Sequence, residues 1–288
     1  MSPSQDEIRS LQTDLSGFRQ IMQAFFTARS ADDWSKRAGS RDKDWTLQQA
    51  TAHVVTIAYA FNQLANAAAH GTPVTFEGLT RREDLRAWNA AEIAKRAQVA
   101  GHELANQLDS ALNEASTLLN TLSLDQLENT VDFPVYNQPA SAWDFLDWQL
   151  SHAGVIHAAQ LPKAVSQPPL WDQYPAEMLP RQVGRFLRHW AVAYWPEYGD
   201  GETHIMNMQI GQAGHWHLIG SPDGGQCLQG ESEDADYAMH FDSPQTLFGI
   251  FTVQRDMREA ISTGALTIYG DMREVFNFVK LFSPTPPK

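Results

Sequence analysis

The sequence predicts an α+β protein of two domains, a four-helix bundle followed by a smaller mixed domain. Three observations carry this. Four long stretches before residue 165 repeat apolar residues every three or four positions. A Pro-containing span, SQPPLWDQ, follows at 166–173. Beyond Gly199 the texture changes to short, β-favouring segments separated by glycines. The domains are therefore expected at 1–165 and 199–288, with a linker and bridging helix over 166–198. A chain of 288 residues can supply a core to each.

The first helix is expected over 5–28, with Ile8, Leu11, Leu15, Phe18, Met22 and Phe25 on one stripe. A polar stretch runs from Arg29 to Lys43, interrupted by Trp34. The second helix follows, with Asp44 or Thr46 as its cap and Leu47, Ala50, His53, Val54, Ile57, Phe61 and Leu64 facing inward. His70-Gly71-Thr72-Pro73 ends it. A long third helix is expected from Asp84 to Leu122, then a short turn at 123–126 and an extended piece at 131–135. The fourth helix covers 140–165, its inner stripe being Leu146, Leu150, Ala153, His157 and Leu161.

A bridging helix is read over 175–195, where Trp190, Tyr194 and Trp195 suit packing better than ligand binding. Strands are expected at 204–210, 215–219 and 235–241, helices at 243–253 and 255–263, a strand at 265–269 and a closing helix at 271–281. Pro222-Asp223-Gly224-Gly225 is a turn without the following helix and Lys of a phosphate loop.

Composition narrows the function. A hydrophobic content of 43% with 19% charged residues is that of a globular protein. The formal charge is -13 and no basic cluster exceeds Arg81-Arg82, which sets nucleic-acid binding aside. Cys227 is the only cysteine, so an internal disulfide and a thiolate metal cluster are both excluded. It has no cationic neighbour in sequence and is no candidate nucleophile. The N-terminus lacks a signal-peptide apolar run, and no segment approaches the roughly 18 apolar residues of a membrane span. A soluble cytoplasmic protein is the simplest expectation.

Two histidines, His53 and His157, occupy the apolar faces of separate helices. Taken singly, each reads as a core histidine satisfied by its neighbours; as a pair they suggest a site. His215 and His217 alternate on one strand face, which an exposed strand explains.

The run DWTLQQATAHV from Asp44 to Val54 resembles the signature of the DinB-like and mycothiol-dependent maleylpyruvate isomerase group. The segment Trp88 to Leu108 resembles the start of that group's third helix, and His157-Ala-Ala-Gln160 resembles the end of the DinB metal motif. In the second half, Gly211 to Ile219, the acidic stretch before YAMHFD and the final helix resemble an SCP2 (sterol carrier protein) domain. The two resemblances cover about 5–165 and 180–284.

What the resemblance implies is a bundle holding a divalent metal, Zn or Ni, on three protein ligands, with positions open for a low-molecular-weight thiol and a small-molecule substrate. A metal there stabilises the thiolate at neutral pH. In the isomerase the thiol adds to a double bond, rotation follows, and the thiol leaves. His53 and His157 are the metal ligands the resemblance points to. The family's remaining fourth-helix ligand, a His or Glu, stands four residues before the last histidine, where this chain has Ala153. His152 lies five residues before it, and in a regular α-helix those side chains diverge by roughly 140°. A π-bulge makes them converge, and Gly154 lies inside the span. His102, Asp144 and Asp147 are other donors to weigh. A second function class stands beside the enzyme: a non-catalytic carrier of a lipid or other apolar ligand, using a cavity lined by Met206, Met208, Phe248 and Phe251.

Overall fold

The computed structural model describes residues 3–39, 44–136 and 138–287. The end of the polar Arg29–Lys43 stretch, residues 40–43, lies outside them. The chain divides into two compact units. The first comprises Met1–Thr80, Asp84–Asp132 and Pro139–Tyr174; the second comprises Arg81–Glu83, Phe133–Gln138 and Pro175–Lys288.

In the first unit, α1 (Gln5–Thr27) starts at a capping box in which the Ser4 side chain accepts from the Glu7 amide. Its expected stripe is buried from Ile8 to Phe25. Helix α2 (Leu47–His70) starts the same way at Thr46 and Gln49, and stops at Gly71, whose φ of 61° favours glycine. Most of α2 is buried, well beyond the stripe its sequence marks out. Alanines at 50, 52, 58, 60, 65, 67, 68 and 69 let neighbours approach from every side, which makes α2 the central helix.

The expected third helix is two. Helix α3 (Leu85–Lys95) ends in a turn, and α4 (Gly101–Thr121) begins after Ala100. The break has two causes. A Cβ at Gly101 would fall 1.9 Å from the Trp34 indole, so the chain needs glycine at that close approach. The Gln48 side chain on α2 then donates to the carbonyls of Ala97 and Val99, satisfying backbone the break leaves open. A short helix, α5 (Leu124–Glu128), and a two-residue pairing of β1 (Thr130–Val131) with β2 (Ala140–Ser141) lead into α6 (Ala142–Ser151). Helix α6 is continued by a π-helical segment and α7 (Ala158–Lys163).

Three bundle helices are tied by buried amides. Asn62 on α2 donates to the carbonyl of Ala111 at 2.8 Å and to Glu114 at 3.0 Å, both on α4. Gln149 on α6 donates to Asn62 Oδ1 and to the carbonyl of Ala58, each at 2.9 Å. Only one register of α2 against α4 and α6 satisfies all four bonds.

The second unit is built on a five-stranded sheet in the order β5-β4-β3-β6-β7. The strands are β3 (His204–Ile210), β4 (Gly214–Ser221), β5 (Gly224–Gln229), β6 (Tyr237–Phe241) and β7 (Leu266–Tyr269). Only β3 and β6 pair in parallel. Helices α8 (Met178–Ala191), α9 (Pro244–Phe251), α10 (Met257–Ser262) and α11 (Met272–Lys280) complete it. Strand β5 is absent from the sequence reading because GGQCLQ lacks β-branched residues. Its glycine has a packing reason. Gly220 and Gly225 face each other across β4 and β5; a Cβ at Gly220 would strike the Tyr194 ring, and one at Gly225 would strike the Ala191 carbonyl oxygen and Tyr194 Cβ. Tyr194, Trp190 and Trp195 pack as expected: Tyr194 and Trp190 lie 4.9 and 5.1 Å from the Phe282 ring, and Trp195 Nε1 donates to the Ser283 carbonyl. Buried Arg82 stacks 3.8 Å over Trp195 and donates to the carbonyls of Ala193, Tyr194 and Ser283.

Of the four residues named for an apolar cavity, Met206, Met208 and Phe248 are wholly buried. Phe248 and Phe251 lie 5.9 and 5.7 Å from the Phe186 ring of α8, so these side chains fill a core. Replacing Asn62 by Ala is expected to lower stability by about 1–3 kcal/mol, because Gln149 and Glu114 each lose a buried partner. Urea unfolding of the variant measures this directly.

Candidate metal centre

His53 reaches the centre of the bundle because the Thr46 capping box fixes where α2 starts, and His53 follows seven residues later on a buried turn. It is 6% exposed. His152 and His157 arrive from the fourth helix. Helix α6 starts at Ser141, whose backbone and hydroxyl both donate to Asp144 Oδ2. Asp144 is thus spent on the cap and does not join the histidines.

From His152 to His157 the helix is π, six residues in all. In a π-turn the backbone bonds reach from i to i+5, so residues five apart share a face. His152 and His157 therefore come together, with Nε2 atoms 3.2 Å apart and ring centroids at 4.5 Å. His53 Nε2 lies 3.2 Å from His152 Nε2. One nitrogen from each of the three histidines falls within 4.8 Å of the others. Among the described residues this is the group of histidines, cysteines and carboxylates able to hold a metal ion. His102 is exposed on α4, and Asp147, buried on α6, also stands outside the group.

The widened turn is supported from outside. Tyr174 donates its hydroxyl to the carbonyl of Gly154 at 2.7 Å. Burial holds the Tyr174 pKa well above its usual value, which keeps that donor protonated. The Tyr174 ring is itself braced edge-on by Phe18 of α1, 6.2 Å away.

The electrostatics suit metal ligands. His157 Nδ1 lies 2.7 Å from Gln160 Oε1. An amide oxygen only accepts, so Nδ1 carries the proton and Nε2 presents its lone pair to the cluster. Desolvation pushes the His157 pKa down to about 4. Desolvation, and then the proximity of His157, hold His53 well below the usual histidine value. Both rings are neutral at pH 7, the form in which imidazole binds metal. Trp45 covers His53 at 4.8 Å between centroids, and Phe61 sits edge-on to His152 at 6.1 Å. His152 is the least buried of the three.

Other histidines have partners of their own. His215 Nδ1 pairs with Glu231 at 2.7 Å, and His217 Nδ1 donates to the Gly230 carbonyl at 3.0 Å. They stand on the half-exposed face of β4. Burial raises the Cys227 thiol to about 12 despite the charge of Arg188, which makes it a poor nucleophile. Trp45 and Tyr174 are contributors that the sequence reading does not assign. Gln160 ends the quoted motif without a role, and its i, i+3 spacing from His157 is the signal that could have given it one.

No family model and no curated protein sequence matches this chain. Among solved structures it is similar to the mycothiol-dependent maleylpyruvate isomerase, with 16% identity and a TM-score of 0.55, covering 91% of this chain and 92% of that one. A histidine-to-alanine mutant of the isomerase gives the same TM-score and coverages at 14% identity. The α+β fold, helical bundle first and mixed sheet second, is shared over nearly the whole of both chains. An SCP2 protein of ubiquinone synthesis, UbiJ, covers 36% of this chain at a TM-score of 0.26, too low to bear on the second unit. No helix among the described residues is long and apolar enough to cross a membrane.

The two depressed histidine pKa values make a prediction for metal-free protein. The unfolded chain takes up protons below about pH 6.5, whereas folded His157 resists protonation down to about 4. Stability is therefore lost as pH falls through that window. Thermal melts from pH 7.5 to 4.5 should show a shallower decline for His157→Gln than for the natural sequence.

Proposed function

We propose that His53, His152 and His157 hold a divalent metal, Zn or Ni, and that the protein is a thiol-dependent isomerase or transferase of the maleylpyruvate isomerase type. The observation that carries the reading is the convergence of three histidine nitrogens in a buried bundle core, made possible by a π-turn. π-turns are rare and frequent at functional sites. Here the π-turn does a definite job, since it brings His152 to the face that the i, i+4 ligand occupies in the family's motif, where this chain has Ala153. The structural similarity to a mycothiol-dependent isomerase supports the choice of thiol chemistry.

The residues fit such a metal. Three imidazoles and one open position form a common catalytic zinc arrangement, and imidazole equally suits Ni. Bound there, the metal supplies Lewis acidity that lowers the pKa of a coordinated thiol. The chain's own groups do the rest. Gln160 fixes the His157 tautomer, and burial keeps His53 and His157 unprotonated. Trp45 and Phe61 shield two of the rings from water. His152, the least buried of the three, would be the ligand nearest an incoming thiol and small substrate.

Protein prepared without chelator or affinity tag is expected to carry about one equivalent of metal by elemental analysis, and His157→Ala to carry almost none. The loaded protein should accelerate addition of a low-molecular-weight thiol to an activated cis double bond, and His152→Ala should abolish that acceleration. Natural-sequence protein that takes up neither Zn²⁺ nor Ni²⁺ would exclude this function.

A further inference from the structure

Residues 230–236, a segment without regular secondary structure, join β5 to β6 within the second unit. Strand β5 lies at one edge of the sheet and β6 lies beyond β4 and β3, so the segment has to cross those two strands. It crosses on their half-exposed face. The buried side of β3 and β4 carries Met206, Met208, Trp216 and Leu218, and the other side carries Asn207, His215 and His217. His217 Nδ1 lies 3.0 Å from the Gly230 carbonyl oxygen. Asn207 binds the Ser232 backbone twice at 2.9 Å, donating to its carbonyl and accepting from its amide. His215 Nδ1 lies 2.7 Å from Glu231 Oε1. The far end is held beside His204. There Asp236 accepts the Ile205 amide on Oδ2 and donates its own amide to the Ile205 carbonyl, each at 2.9 Å.

His204 stands between two carboxylates. Its Nε2 lies 2.9 Å from Asp200 Oδ2 and its Nδ1 lies 3.6 Å from Asp236 Oδ2. A neutral imidazole carries one proton, so it satisfies one carboxylate and turns a lone pair toward the other; an imidazolium presents a proton to both. Tyr237 stacks on the ring at 6.0 Å, and Phe278 stands edge-on at 6.1 Å. Glu274 and Asp271, at the start of α11, act on Tyr237. His215 faces Glu231, with His217 on the same face of β4 and His240 in register beyond Gln209.

We propose that residues 230–236 form a pH-operated strap over the open face of the sheet, latched by protonated His204 on Asp236 and by His215 on Glu231, and loosened when that charge is lost. Partial burial lowers the His204 pKa, but Asp200 and then Asp236 outweigh it, and the net shift is upward. A latch of this sign is fully closed below the ordinary histidine value of about 6.5 and is lost as pH rises through the higher value of His204 itself. Release uncovers the polar side chains of Asn207 and His217. The strap lies wholly in the second unit and is independent of the metal-centre reading.

The test is hydrogen exchange of the full chain by mass spectrometry at about pH 6 and about pH 8.5, either side of the histidine range, with each rate expressed relative to the unstructured peptide at the same pH. Peptides covering 230–236 should lose roughly threefold in protection between the two, the scale of one or two part-exposed ion pairs, while β3 and β4 stay unchanged. His204→Gln keeps a donor for Asp200 but cannot gain charge, and its strap should be equally protected at both pH values. Asp236→Asn keeps an acceptor for the Ile205 amide and removes the charge that His204 meets. It should give the same flat response, and it carries the test should His204→Gln fold poorly. Equal strap protection at both pH values in the natural sequence would overturn the proposal. An undiminished pH response in both variants would place the titration elsewhere and equally overturn it. A loss shared by β3 and β4 would be loosening of the whole sheet, with no strap to operate, and would overturn it too.

Discussion

The candidate site depends on a local change of helical pitch. His152 and His157 are five residues apart, a spacing that a regular α-helix turns to different faces. The π-turn over His152–His157 closes that gap and sets their Nε2 atoms 3.2 Å apart. Such a turn is unfavourable by itself and persists only where its surroundings hold it. Tyr174 provides one hold through the Gly154 carbonyl, and Phe18 braces Tyr174 in turn. The first helix and the segment after the bundle thus contribute to the geometry without touching the histidines.

Around that turn the bundle supplies two further conditions. Its amide network of Asn62 and Gln149 fixes the register of α2 against α4 and α6, and so fixes where His53 meets the π-turn. Its apolar packing removes water from His53 and His157, which keeps them neutral and competent as ligands. A cluster of imidazoles, two of them held neutral by burial, has little reason to be stable alone, because the Nε2 atoms of His152 and His157 face each other at 3.2 Å with room for at most one proton between them. A divalent cation resolves that arrangement by accepting all three lone pairs.

Much of this was legible in the sequence, and the illegible parts share a cause. Periodicity located α1, α2 and the fourth helix, and it placed His53 and His157 on buried faces. The family resemblance, not periodicity, pointed to His152, together with the pitch change it would need. Long-range contacts were not legible. The split of the third helix turns on Gly101 against Trp34 and on Gln48 reaching two carbonyls some fifty residues away. Strand β5 hides because Gly225 answers to Tyr194 and not to strand propensity. Tyr174 carries no local signal at all, since its role exists only once Gly154 and Phe18 are brought beside it. The wide burial of α2 came from alanines, which a stripe of larger apolar residues does not reveal.

The central claim is that these three histidines ligate one metal through their Nε2 atoms. X-ray absorption fine structure at the zinc edge of metal-loaded protein tests it most directly. The account predicts three imidazole nitrogens at about 2.0–2.1 Å plus one lighter-atom ligand, with one nitrogen lost in His152→Ala. A first shell of mostly oxygen, or one unchanged when His152 is replaced, would contradict it.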